Sequence, residues 1–207
     1  MASGLQLKAA LLTRPSWAWW GLSALAAGGA LAAMAIDPAG LRWQPELAWT
    51  QPWRCMTAAW VHWSGLHLAA NLVGTALVAA LGTVAGCGRR AALAWALAWP
   101  ITHVALLLQP ALMAYGGLSG LLHAGVAVAG WQLLRGERGQ RQAIGMAMLT
   151  GLTLKLLLEA PWQGPLRTVA GWDIAIAPMA HASGSAAGLL CALACRVGKP
   201  AGGGAAG

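Results

Sequence analysis

The chain has 207 residues, of which 58% are hydrophobic and 9% are charged, and its formal net charge is +8. This small number of charged side chains cannot cover the surface of a water-soluble globular protein of this size. The composition therefore predicts a protein that is partly solvated by a lipid bilayer. The positive charge would favour nucleic-acid binding in a soluble protein. Here the basic residues stand in short gaps between apolar runs, so no nucleic-acid partner is expected.

Six apolar runs approach or reach the roughly 20 residues that a transmembrane helix needs. We therefore predict an all-α membrane protein, a bundle of six transmembrane helices over residues 17–196. Residues 1–16 would form a cytoplasmic N-terminal tail, and the Gly/Ala-rich residues 197–207 a disordered cytoplasmic one. The six runs cover residues 17–36, 64–86, 91–108, 116–134, 143–160 and 177–196.

The connections between these runs are short, apart from an outer loop over residues 37–63. This loop is rich in tryptophan and proline. Indole rings favour the membrane–water interface, so we expect the loop to be an amphipathic structure half submerged at that level.

The basic residues predict the orientation, because cytoplasmic loops carry an excess of Lys and Arg. Nine of them fall on the side of both termini and three on the other side, so both termini are predicted to be cytoplasmic. The nine are Lys8, Arg14, Arg89, Arg90, Arg135, Arg138, Arg141, Arg196 and Lys199, and the three are Arg42, Arg54 and Arg167. Lys155 lies inside the fifth run, four residues before Glu159, and is expected to reach outward toward it without a chemical role.

Polar side chains inside a bilayer are costly and tend to mark functional sites. They cluster where three of the runs open, in "WSGLHLAANLVG", "YGGLSGLLHAG" and "APMAHASGSAAG". In the predicted orientation these three helices all begin at the outer face, so the clusters share one depth. With a helix start near Ala114, the serine of the second cluster lies about 7 Å below that start. The clustered side chains are His67, Asn71, Ser119, His123 and His181.

Small residues accompany these polar side chains at helical spacing. Gly116 and Gly120 flank Ser119, and His181 begins a stripe that continues through Gly184, Ser185 and Gly188. Small residues let helix backbones approach closely. Such an approach is needed to bring a serine hydroxyl within about 3 Å of a histidine ring.

At these residues the sequence resembles the rhomboid family of intramembrane serine proteases. The resemblance rests on "WR" at Trp53 and Arg54, on "HLAAN", on "GLSG" and on "AHASG", and it covers roughly residues 53–190. The variant "GLSGLLH", with His123 four residues after the serine, is similar to the rhombosortase branch. That branch implies surface-bound substrates that end in a Gly-Gly-containing motif, a helix and a basic tail.

The resemblance implies a role for each clustered residue. Ser119 would be the nucleophile and His181 the general base, while His67, Asn71 and the Ser119 backbone N–H would form the oxyanion hole. His123, Gly117 and Gly120 would support these groups or contact the substrate. We expect a Ser–His dyad without an acidic third member, with Asp173 as the alternative acid. The partners expected are transmembrane or C-terminally anchored protein substrates and the bilayer, in a bacterial inner membrane with the site facing the periplasm.

Other classes fit the pattern less well. A metal hydrolase would need a motif such as HExxH or a carboxylate buried among the histidines, so neither a metal nor another cofactor is expected. The four cysteines include no CxxC pair and are interpreted as small core residues. A transporter would be expected to show an inverted repeat. A catalytically silent rhomboid-like protein that binds transmembrane clients would be expected to lack the serine or the histidine, and both are present.

Overall fold

The computed structural model of the chain describes residues 17–136 and 139–198. The predicted tail 1–16 and most of the predicted tail 197–207 lie outside the described residues, as do four of the basic residues used for the orientation. The described residues form six long α-helices and no β-strand, which confirms the all-α class. The helices are α1 (Trp17–Ala33), α2 (Gly65–Ala85), α3 (Arg89–Val104), α4 (Ser119–Leu134), α5 (Gln140–Glu159) and α6 (Pro178–Ala194).

Three helices in the described part of the chain are long and apolar enough to cross a membrane. They are α2, α3 together with the 3₁₀ turn Ala105–Leu108 that continues it, and α5. The other three have 16 or 17 residues. At 1.5 Å per residue they measure about 25 Å, against a hydrocarbon core of about 30 Å. The six-span count and the orientation therefore stay predictions.

Helix α4 lies at the centre of the bundle and packs most closely against α6. Glycines of α6 make this approach possible: a Cβ at Gly184 would collide with the backbone of Gly120, and a Cβ at Gly188 with the backbone of Ala124. Most residues of α4 are buried. The predicted stripe of small residues on the sixth helix thus lies at the contact between the two helices that carry the predicted nucleophile and base.

Buried tryptophans fill the space between α1, α3 and their neighbours. The rings of Trp19 and Trp95 lie 4.4 Å apart between centroids. Trp95 donates its indole N–H to the Leu121 carbonyl at 2.8 Å, and Trp99 donates to the Met56 carbonyl at 3.0 Å. A buried indole N–H usually finds an acceptor, and these carbonyls supply one for Trp95 and Trp99.

The outer loop between α1 and α2 is folded around a buried arginine. The guanidinium of Arg54 donates to the carbonyls of Ala39 and Arg42 at 2.8 and 2.7 Å, and to Oε1 of Gln51 at 2.6 Å. The loop consists of the four-residue helix Arg54–Thr57 and the 3₁₀ turns Pro38–Gly40, Pro45–Leu47 and Ala58–Trp60. The "WR" pair of the sequence thus includes the side chain that fixes the loop.

The cysteines are packing residues, as the sequence indicated, and His103 has a structural role as well. All four cysteines are free thiols; Cys55, Cys87 and Cys191 are buried and Cys195 is half-buried. His103 is fully buried on α3, and its Nδ1–H donates to the Cys55 carbonyl at 2.6 Å. It therefore joins α3 to the outer loop.

Candidate active site

The five predicted polar side chains line one cavity. The cavity has a volume of about 340 Å³ and is lined by residues of α2, α4, α5 and α6 and of the segment that joins α5 to α6. Besides the five it contains Tyr115, Lys155 and Glu159, and apolar side chains such as Trp63 and Trp172. The predicted site residues His67, Asn71, Ser119, His123 and His181 are all in its wall.

Ser119 is the first residue of α4. The prediction that this helix begins near Ala114, with the serine about 7 Å below its start, is therefore wrong. The chain before the serine is held out of the helix, because Tyr115 pairs with Trp43 of the outer loop and Gly117 has a φ of +135° that favours glycine. As a consequence, the backbone N–H of Ser119 stands at the open end of a helix, where it has no intrahelical acceptor.

Tyr115 is buried beside the serine and binds the whole turn that carries it. Its hydroxyl donates to the Gly117 carbonyl at 3.0 Å and accepts from the Gly120 N–H at 3.3 Å. It also lies 3.3 Å from the Ser119 Oγ. Since the tyrosine proton is used on Gly117, Ser119 must be the donor in that contact. Burial raises the pKa of Tyr115, so its hydroxyl keeps that proton at neutral pH.

His181 is buried near the start of α6, and its ring has a carboxylate partner. Nδ1 lies 2.7 Å from Oε2 of Glu159, the last residue of α5. A carboxylate can only accept, so Nδ1 carries the proton and Nε2 of the neutral ring is left with a lone pair. The expectation that no acid accompanies His181 is thus wrong, and the acid that lies against it is Glu159, not Asp173.

His123 lies flat against His181, one helical turn after the serine. The two rings are stacked with centroids 4.2 Å apart and planes 12° apart. The Nδ1–H of His123 donates to the Ser119 carbonyl at 2.7 Å. The stacked ring thus restricts the position of His181, while its own Nδ1 is held by the backbone of the serine turn.

The predicted oxyanion residues project from the first turns of α2, which Ser64 caps by accepting the His67 N–H at 3.0 Å. Nδ1 of His67 accepts the backbone N–H of Trp63 at 3.4 Å, so Nε2 carries the ring proton and is a donor. A Cβ added at Gly117 would lie 2.8 Å from that Nε2 and 3.7 Å from the Asn71 amide nitrogen. Both donors therefore meet at Gly117, and a side chain there would occupy their place.

Asn71 is oriented by His62, which lies in the turn before α2. The Asn71 amide donates to Nε2 of His62 at 3.1 Å, and Nδ1–H of His62 donates to the Trp60 carbonyl at 3.0 Å. Burial lowers the pKa of His62, which favours the neutral ring that this arrangement requires. One amide N–H of Asn71 is thus fixed, and the second can point into the cavity.

Among the described residues, the Ser119 hydroxyl has its hydrogen-bond partner in Tyr115 and none in His181. The serine and the histidine nevertheless share the cavity, and the stacked His123 links their helices. Catalytic hydrogen bonds are often long in the absence of substrate and shorten when it binds. A serine activated by His181 would have to rotate its hydroxyl from Tyr115 toward that ring.

A family model, the Rhomboid domain, matches residues 50–197, which is more than two thirds of the chain. The chain belongs to the rhomboid family. Rhomboids are intramembrane serine proteases that act on membrane-protein substrates within the bilayer, and membership makes this chain an integral membrane protein. None of the curated proteins matches the chain.

The match to the rhomboid family covers the residues of the site described above. Three of them have no role predicted from the sequence: Glu159, His62 and Tyr115. Glu159 and Tyr115 line the cavity, and His62 lies behind Asn71. The predicted pair of Lys155 and Glu159 does form, with Nζ 2.5 Å from Oε1. For Glu159 a signal was available, since the fifth predicted helix ends at the outer face, where the predicted catalytic residues lie.

Proposed function

We propose that this rhomboid is an active intramembrane serine endopeptidase in which Ser119 is the nucleophile and His181 the general base. The observation that supports this most directly is the state of the His181 ring. Its Nδ1–H is bound to a carboxylate, so its Nε2 is the basic nitrogen, and it lines the same cavity as the serine. A base of this kind is what serine activation requires.

The reaction follows from the positions of these groups. The Oγ of Ser119 attacks the scissile carbonyl carbon while Nε2 of His181 takes the serine proton. The oxygen of the tetrahedral intermediate accepts hydrogen bonds from Nε2–H of His67, the free amide N–H of Asn71 and the backbone N–H of Ser119. The C–N bond then breaks as His181 gives its proton to the leaving amine. Water attacks the acyl-enzyme with His181 again as the base, and releases the second product and the serine.

We further propose that the substrates are transmembrane or C-terminally anchored proteins, cleaved near the outer face by a rhombosortase-type enzyme. The sequence "GLSGLLH" supports this branch, with its histidine stacked on the base. A Gly-Gly motif suits a bilayer protease, because a helix shields its carbonyls and glycine weakens helices. In the same proposal, the protein spans a bacterial inner membrane six times with both termini in the cytoplasm, and the cavity faces the periplasm.

The proposal is tested by labelling the detergent-solubilised protein with a fluorophosphonate, which reacts with activated serines. Wild type is compared with Ser119→Ala, His181→Ala and a matched control, Ser23→Ala. Ser23 is a helical serine outside the cavity, and its buried hydroxyl donates to the Trp19 carbonyl. We expect labelling of wild type and the control and none of the other two variants. A folded wild-type protein that does not react would instead support the silent client-binding alternative.

A further inference from the structure

The carboxylate of Glu159 lies between two different partners. Oε2 is 2.7 Å from Nδ1 of His181, and Oε1 is 2.5 Å from Nζ of Lys155. The Glu159 side chain is 14% exposed and that of His181 8%. Burying a charge costs free energy unless the charge is paired, and here each oxygen of the Glu159 carboxylate has a partner of its own.

We propose that Glu159 is the positioning residue of His181, so that the site is a Ser119–His181–Glu159 triad. This inference rests on the proposed protease function. The carboxylate holds the Nδ1–H tautomer, which directs the Nε2 lone pair toward the serine, and it stabilises the imidazolium that forms when the serine proton arrives. Glu159 itself takes no proton: the proton moves from Ser119 Oγ to His181 Nε2 and from there to the leaving amine.

Lys155 makes the choice of tautomer depend on Glu159. Its Nζ lies 3.5 Å from Nδ1 of His181 and can only donate. With the carboxylate in place, Nδ1 is itself a donor and the ammonium binds Glu159 instead. Without the carboxylate, the ammonium is left as the nearest polar group, and it favours an unprotonated Nδ1 with the proton on Nε2. A histidine in that tautomer cannot accept the serine proton.

The groups that face the His181 ring are therefore Glu159 and Lys155 from α5 and His123 from α4. His123 contributes a stacked ring, and its Nδ1–H is committed to the Ser119 carbonyl. Of the three, only Glu159 can accept the Nδ1 proton of the base. This distinguishes it from residues that merely pack against the ring.

The experiment compares wild type, Glu159→Gln, Glu159→Asp and Glu46→Gln for the rate of fluorophosphonate labelling and for kcat and KM on a membrane-anchored peptide substrate. Glu46 is an exposed acid of the outer loop and is the matched control. Replacing the acid of a triad by its amide lowers kcat by about 10⁴-fold in soluble serine proteases. We expect Glu159→Gln to lower kcat and the labelling rate by about 10²–10⁴-fold with little change in KM, Glu159→Asp to restore much of both, and Glu46→Gln to match wild type.

A second pair of variants keeps the test decisive if Glu159→Gln folds poorly. In Glu159→Ala the ammonium of Lys155 remains beside His181, whereas in Lys155→Met/Glu159→Ala it is removed, so the double variant should label faster than Glu159→Ala. Equal labelling by wild type and Glu159→Gln, or a double variant that is no faster than Glu159→Ala, would overturn the triad, provided that Ser119→Ala abolishes labelling. A wild type that does not label at all would instead refute the protease function itself.

Discussion

Substituting alanine for Gly184 tests whether the contact between α4 and α6 sets the distance between the proposed nucleophile, Ser119, and the proposed base, His181. A Cβ at this position would collide first with the carbonyl oxygen of Gly120, and the carbonyl carbon behind that oxygen would lie 2.7 Å away, where ordinary contacts begin at 3.4 Å. The obstacle is backbone, so a rotamer change cannot relieve it. The two helices must therefore separate by more than the 0.7 Å that the carbonyl carbon alone requires (3.4 − 2.7 Å).

The cost of this separation can be divided between stability and activity. Overpacking a close contact costs about 1–3 kcal/mol, and the better helix propensity of alanine returns about 0.5–1 kcal/mol. We therefore expect a net loss of roughly 0–2.5 kcal/mol in the free energy of unfolding. Gly184 is three residues after His181 and meets the residue that follows Ser119, so the movement changes the geometry of the proposed catalytic pair. A misplacement near 1 Å can cost about 10²-fold in rate.

The assay is the rate of fluorophosphonate labelling and of peptide cleavage, with Gly151→Ala as the matched control. Gly151 is a helical glycine of α5 whose added Cβ would meet no atom within 4 Å. We expect Gly184→Ala to lose about 100-fold in rate with most of its thermal stability retained, and Gly151→Ala to match wild type. A Gly184→Ala protein that is fully active would show that the pair is positioned independently of this contact.

Three further predictions concern groups around the cavity. Asn71→Ala should lower kcat by about 10²–10³-fold in the cleavage assay, because one oxyanion donor is lost, and an effect as large as that of Ser119→Ala would contradict the assigned role. Burial lowers the pKa of His62 below its ordinary 6.5. The stability that its neutral ring contributes is therefore present above pH 6.5 and is lost as the pH falls below that value. The thermal midpoint of wild type should fall more steeply below pH 6.5 than that of His62→Asn, and parallel curves would refute the effect. Burial raises the pKa of the Cys87 thiol to about 12, so about one thiol in 10⁴ is ionised at pH 8. Mass spectrometry should therefore show much slower alkylation of Cys87 than of the half-buried Cys195. Equal rates would argue against a buried thiol.

The helices and the five polar residues of the cavity were predictable from the sequence because both depend on local patterns. Apolar runs near 20 residues define helices, and the four-residue spacing of His67 and Asn71 places both on one face. The depth shared by these residues, Ser119 and His181 followed from alternating helix directions. All of these inferences need only the chain order and the helix period.

The partners of these residues were not predictable in the same way, because they depend on contacts distant in sequence. Glu159 is 22 residues before His181, and its local partner Lys155 already accounted for its charge. The start of α4 at Ser119 depends on Tyr115 pairing with Trp43, more than 70 residues away. The sequence pattern indicated helix packing for the glycines before the serine. In the structure, one of them, Gly117, instead has a positive-φ backbone conformation that ends the segment before α4.

The histidines of the cavity show why a motif alone cannot assign chemical roles. His67 and His181 are the same side chain at a similar depth, yet their Nδ1 atoms have opposite partners. The backbone N–H of Trp63 makes Nδ1 of His67 an acceptor, which leaves Nε2–H as a donor for the proposed oxyanion hole. The carboxylate of Glu159 makes Nδ1 of His181 a donor, which leaves Nε2 as a base. Each role follows from the group behind the ring, so a change of that group alters the chemistry even when the histidine is kept.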